Sequence, residues 1–130
     1  MKEREIEIHD STIDHITLEG STAVLHFTGV YIYPVNNHMN GGWHQEAVIR
    51  IGNARIEGQF SDESRAAYGG EHVLADGAFR LNDDVHSNAI PLPLDVRGEV
   101  ELMMECWGYE VRVFGDSAKL ELIGEAREAR

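Results

Sequence analysis

The stretch Tyr109-Glu110-Val111-Arg112-Val113-Phe114-Gly115-Asp116-Ser117-Ala118-Lys119-Leu120-Glu121-Leu122-Ile123 decides the fold. Val111 and Val113 alternate with Glu110 and Arg112, and Leu120 and Leu122 alternate with Lys119 and Glu121. Polarity that flips at every residue sorts side chains to opposite faces of a pleated strand, one buried and one wet, the habit of antiparallel sheets. Gly115-Asp116-Ser117 between the two runs reads as a turn. Upstream, Cys106-Trp107-Gly108 reads as the turn from a strand over residues 99–105, so the last third predicts a meander. Residues 125–130 form a charged tail, expected to fray or make a helical turn.

The same period of two runs through the rest of the chain. Ile6 and Ile8 alternate with Glu5, Glu7 and His9 in a first short strand, and Ile13, Ile16 and Leu18 lead to the turn cluster Glu19-Gly20-Ser21. In residues 23–33, Leu25, Phe27, Tyr31 and Tyr33 share one parity, with Val30 and Ile32 on the other, which predicts a strand covered on both faces near its end. Pro34 stops it by removing a ladder donor. Residues 36–42 are a loop by composition. A strand over residues 43–51 is followed by Ile51-Gly52-Asn53-Ala54, read as a two-residue hairpin turn, with Ile56, Gly58 and Phe60 on one face of the return strand. One helical turn is expected around residues 62–67, a hairpin at Asp76-Gly77, and a loop over residues 82–88. In Ile90-Pro91-Leu92-Pro93-Leu94, prolines two apart delete donors on one side, which predicts an edge or a non-ladder stretch. Turn signals every eight to twelve residues or so, with no long 3.6 repeat, argue for one all-β domain over residues 1–130. The expected architecture is an antiparallel β-sandwich or open β-barrel of about 8–10 strands with at most one short helical turn.

Size and charge bound the function. A 130-residue chain buries enough surface to fold without disulfides or a structural metal. Cys106 is the one cysteine, which excludes an intramolecular disulfide and a four-ligand Cys/His zinc finger. A lone thiol, and no stretch resembling a signal-peptide core or a membrane span, point to the cytoplasm. A net charge of −12 with basic residues scattered singly disfavours nucleic acid and anionic membranes. It suits solubility, or attraction of a basic protein partner.

His9-Asp10-Ser11 with Ile13 and Ile16, the Ile90-Pro91-Leu92-Pro93-Leu94 segment, and the ending Val111-Arg112-Val113, Gly115 and Leu120-Glu121-Leu122-Ile123-Gly124-Glu125 together resemble a group of small bacterial all-β proteins of uncharacterised function. The resemblance runs from about His9 to Glu125. Some similar small acidic domains are immunity proteins of bacterial toxin systems. The resemblance therefore implies protein binding and carries no catalytic residues across.

Candidate chemistry concentrates in two places. His9 and Asp10, with His15 further on, offer imidazole and carboxylate ligands for zinc or a similar divalent ion, or a base with its orienting partner. The plainer reading is turn chemistry, because Asp and Ser side chains bond nearby backbone N–H groups. Asn36, Asn37, His38, Trp43 and His44 suit a sugar or peptide, since an indole face stacks while amides fix polar groups; the plainer reading is a solvated loop with Trp43 in the core. Cys106 lies between Glu105 and Glu110, the wrong setting for a nucleophile. Glu99 and Glu101, two apart, read as the wet side of a strand, and Tyr31, Tyr33, Trp43 and Trp107 as an aromatic cluster of the core. No phosphate loop, nucleophile elbow or zinc-protease helix is present in the sequence. The sequence thus favours a non-enzymatic domain that binds a basic protein or itself. The alternatives are a small-ligand or divalent-metal protein, or minor hydrolase, using the His/Asp cluster, and a structural homodimer.

Overall fold

The computed structural model describes residues 3–39, 41–63 and 70–128. Among the described residues, ten strands form one sheet: β1 Arg4–Glu19, β2 Thr22–Pro34, β3 Trp43–Gly52, β4 Arg55–Gly58, β5 His72–Val73, β6 Asp76–Leu81, β7 Asp84–Ser87, β8 Ala89–Leu92, β9 Asp95–Cys106 and β10 Tyr109–Glu128. The order is β5-β1-β2-β3-β10-β9-β6-β7, every pairing is antiparallel, and β8 pairs β1 while β4 pairs β10. The sheet curls into a half-barrel. Residues 72–81 lace its two ends. Asp10 N–H donates to Leu74 O at 2.9 Å and Leu74 N–H to Ser11 O at 2.9 Å, while the next amide, Ala75 N–H, donates to Glu105 O at 2.8 Å. One chain segment thus satisfies the free edges of β1 and β9, which a flat sheet would leave open.

The core is the concave face. Ile6, Ile8, Leu25, Phe27, Ile49, Phe79, Leu102 and Val113 pack there in one cluster. Irregular register lets both parities of a strand feed this face. β1 shifts register between Glu7 and Thr12, so Ile6 and Ile8 before the bulge and Ile13 after it all point inward. β2 shifts against β3 between Phe27 and Val30, which turns Val30 and Ile32 inward beside Leu25 and Phe27. Tyr31 and Tyr33 therefore do not share the face of Leu25 and Phe27, as strict alternation had predicted; they lie on the outer face.

Five local expectations are corrected. Ile51-Gly52-Asn53-Ala54 does not reverse the chain. β4 pairs with residues 111–114 of β10, on the same edge where β3 pairs with residues 117–128, so β4 continues β3 past a kink. Asn53 at positive φ and Ala54 N–H donating to Ser21 O at 2.8 Å make the kink. Gly115-Asp116-Ser117 is a bulge inside β10, and the expected tail is strand as far as Glu128, with Arg127 opposite His44. Asp76-Gly77 opens β6, and residues 82–88 hold the tight β6–β7 turn and all of β7. The errors at residues 52–53, 76–77 and 115–117 share one cause: Gly, Asp and Asn also serve bulges and kinks, and only the pairing partner tells these from a reversal. Trp107-Gly108 is a true two-residue turn with both residues at positive φ, and β8, with Pro91, is an edge that pairs β1 alone among the described residues. Asp62 and Glu63 begin a helical turn; the remainder of that expectation, residues 64–67, lies outside the described residues, as do Asn40 and residues 129–130.

Candidate functional site: a carboxylate–imidazole cluster on the outer face of the first strand

Residues 5, 7 and 9 of β1 alternate with inward Ile6 and Ile8, which sets Glu5, Glu7 and His9 in a row on the outer face. The bulge then adds Asp10. Asp10 takes positive φ (70°), a conformation Asp tolerates better than most residues. Ser11 holds it there: its buried Oγ donates to Glu7 O at 2.7 Å and accepts from Tyr31 N–H at 3.2 Å. On the other flank, His9 N–H donates to Asn88 Oδ1 at 2.7 Å. The backbone under residues 9 and 10 is thus held by β2, by the lacing segment at Leu74 and by Asn88. Above it, one ligand atom each from Glu7, His9 and Asp10 lies within 4.8 Å of the others. His9 Nδ1 is 3.8 Å from a Glu7 oxygen and 3.4 Å from Asp10 Oδ2. The Glu7 side chain is 11 % exposed, against 52 % for His9 and 47 % for Asp10, so the cluster has a sunken member and two at the surface.

The 35–42 loop brings a second imidazole. His38 is hydrogen-bonded through both ring nitrogens, Nε2 lying 2.5 Å from Glu5 Oε2 and Nδ1 2.8 Å from Glu7 Oε2. Its ring lies on Tyr33 (centroids 5.1 Å apart), Tyr33 stacks on Tyr31 (6.4 Å), and His44 leans on Tyr31 (4.8 Å). Tyr33 is fully buried on this outer face because the loop covers it; at Gly42 a Cβ would fall 2.2 Å from the Tyr33 ring, so only glycine lets the backbone pass. Arg4 ties the loop from the far side, donating to Gly41 O at 2.9 Å.

The expected site residues separate. His9 and Asp10 come together, but their third member is Glu7. His15 instead has its Nδ1 2.6 Å from Asp14 Oδ2 and stacks on His26 at 4.2 Å. Asn36, Asn37, His38, Trp43 and His44 do not share a pocket: Asn36, at positive φ, and Asn37, whose N–H bonds Pro34 O, make the turn, His38 joins the acids, and Trp43 lies under the Arg4 guanidinium. The aromatic group divides likewise, with Tyr31 and Tyr33 stacked, Trp43 apart from them and Trp107 exposed at the β9–β10 turn. Cys106 is buried, its thiol donating to Val73 O at 3.0 Å. Glu101 sits between Arg80 and Arg112, and hydrogen bonds from Arg112 to Glu110 and Glu101 hold that guanidinium above its ordinary value. Glu5 and Glu7 were missed, although they stand at i−4 and i−2 from His9 on one strand face, the spacing that aligns side chains. Asn88 carried no sequence signal, being 79 residues from His9.

One imidazole and two carboxylates suit a borderline divalent ion such as Zn²⁺ or Mn²⁺. A four-coordinate zinc with ligands about 2.0–2.2 Å away brings ligand atoms to roughly 3.3–3.5 Å of one another. The His9–Asp10 separation of 3.4 Å already matches this, the 3.8 Å to Glu7 exceeds it by a few tenths of an ångström, and all three ligand atoms lie within 4.8 Å of one another. Three protein ligands would leave a position for water. No protein-family description matches the chain, and none of the curated proteins or solved structures compared with it shows significant similarity.

Proposed function

We propose that the protein binds a divalent transition-metal ion through Glu7 Oε1, His9 Nδ1 and Asp10 Oδ2. The observation that carries this reading is the Asp10–Ser11 bulge: it brings a residue that strict alternation would point inward with Ile6 and Ile8 onto the face of Glu7 and His9. His38 supports it as an outer partner. It occupies Glu7 Oε2, which orients the carboxylate and leaves Oε1 for the ion, the arrangement in which outer hydrogen bonds tune metal ligands. Titration of untagged, chelator-treated protein with Zn²⁺, Mn²⁺ and Mg²⁺ tests it by calorimetry. One Zn²⁺ or Mn²⁺ per chain is expected, with Mg²⁺ weaker because imidazole suits the softer ions. Glu7→Gln and His9→Ala should each weaken binding at least about tenfold. Sub-stoichiometric uptake, or variants that bind as wild type does, would exclude the site.

A second reading, binding of a basic protein as in immunity-type domains, is favoured by one surface feature. Met39, 77 % exposed, stands at the tip of a loop anchored on Glu5 and Glu7, in a chain of net charge −12. An exposed, adaptable methionine beside acids suits a basic partner with an apolar contact. Salt-sensitive capture of a defined partner, lost in Met39→Ser, is the expected result; capture indifferent to both salt and Met39 would end this reading.

A further inference from the structure

The ends of β1, β3 and β8 meet the middle of β10 in a groove of about 480 Å³, lined by Arg4, Trp43, Leu92, Pro93, Leu94, Leu120 and Leu122. Leu120 N–H donates to Leu94 O at 2.9 Å, and Leu92, Leu120 and Trp43 pack against the main core, so the groove is an open depression whose apolar wall is continuous with the core, with Pro93 and Leu122 exposed at its rim. Small-molecule sites fall in this size range, are mainly apolar with a few polar groups, and favour the mouths of β-barrels. The lining holds a single charge, and that charge is positive in a chain of net −12. Arg4 sits 4.4 Å above the Trp43 ring and spends one donor on Gly41 O; among the described residues no carboxylate pairs with it. A guanidinium has five N–H donors and matches a carboxylate in bidentate fashion.

We infer that this groove binds a small amphipathic carboxylate, its apolar body on Trp43, Leu94 and Leu120 and its anionic head on Arg4. The site is separate from the cation cluster: Arg4 has the inward parity of β1, opposite to Glu5 and Glu7. Charge complementarity selects this occupant, because an uncharged apolar ligand would leave the rim cation unused and a cationic one would be repelled.

Trp43 can report on the groove when Trp107 is replaced by Phe, since Trp107 is exposed at the β9–β10 turn. Octanoate is expected to change Trp43 emission saturably and to shift the amide resonances of Leu92, Leu94, Leu120 and Leu122. Octan-1-ol and octylammonium should bind at least about tenfold more weakly. Arg4→Met keeps the apolar stem and should reduce octanoate affinity at least about tenfold while leaving octan-1-ol unchanged. Leu122→Asp, at a surface position that tolerates change, should abolish binding. Non-saturable octanoate binding, equal affinity for the three probes, or no effect of Arg4→Met would overturn the inference. So would concentration-dependent self-association that protects Leu122, which assigns the groove to a second copy. None of these results depends on metal.

Discussion

Two polar side chains organise the outer face at the level of single residues. Ser11 is buried and makes two hydrogen bonds that hold the β1 bulge, so Ser11→Ala should lower unfolding stability by about 1–3 kcal/mol, read by urea denaturation. The same variant should weaken metal binding, because the bulge is what presents Asp10. His38 separates Glu5 and Glu7, carboxylates 16 % and 11 % exposed. Removing it leaves two acids facing each other with little solvent, so His38→Ala is expected to cost about 1–3 kcal/mol and to speed amide hydrogen exchange in residues 35–39. Exchange as slow as in wild type would mean that the Tyr33 stack and the Arg4–Gly41 bond hold the loop without His38.

At the scale of elements, the strands are long and repeatedly offset. β10 runs from Tyr109 to Glu128 and serves β4 with one half and β3 with the other, the change falling at the Gly115–Ser117 bulge. A Cβ at Gly115 would come within 2.4 Å of Gly52 O, where the kink between β3 and β4 crosses it. Gly115→Ala should therefore destabilise by about 1–3 kcal/mol, as overpacking against backbone does. A change below about 0.5 kcal/mol in thermal or urea unfolding would show that the crossing is looser than this geometry.

For the whole molecule, closure depends on a segment with very little strand of its own. β5 has two residues, yet Leu74 and Ala75 donate to β1 and β9 respectively, and Leu74 is 1 % exposed in the core. Leu74→Ala should cost about 2–5 kcal/mol, the range for truncating a buried leucine, and its effect should spread to both ends of the sheet. Hydrogen exchange checks this directly: the Leu74 and Ala75 amides are expected to exchange as slowly as those of central β2 and β9. Fast exchange there would mean that the two ends open independently.

The sequence alone determined the all-β class, the antiparallel habit, the wet and buried sides of β9 and of the first half of β10, the Trp107-Gly108 turn and the edge at Pro91, whereas Leu122, expected on the buried side, is exposed. The features it determined follow from polarity at adjacent positions and from backbone chemistry that a residue carries wherever it sits. It also placed His9 and Asp10 together, because neighbours in a chain stay neighbours. Tertiary structure decided the rest. Whether Gly52-Asn53, Asp76-Gly77 and Gly115-Asp116 turn back or merely bend depends on which distant strand takes their hydrogen bonds. His38 reaches Glu7, and Asn88 reaches His9, only because the loop after β2 and the strand pairing bring together residues 31 and 79 apart in the chain. The order in which strands pair is set by how the sheet can curl over one core, and no local pattern of polarity encodes that choice.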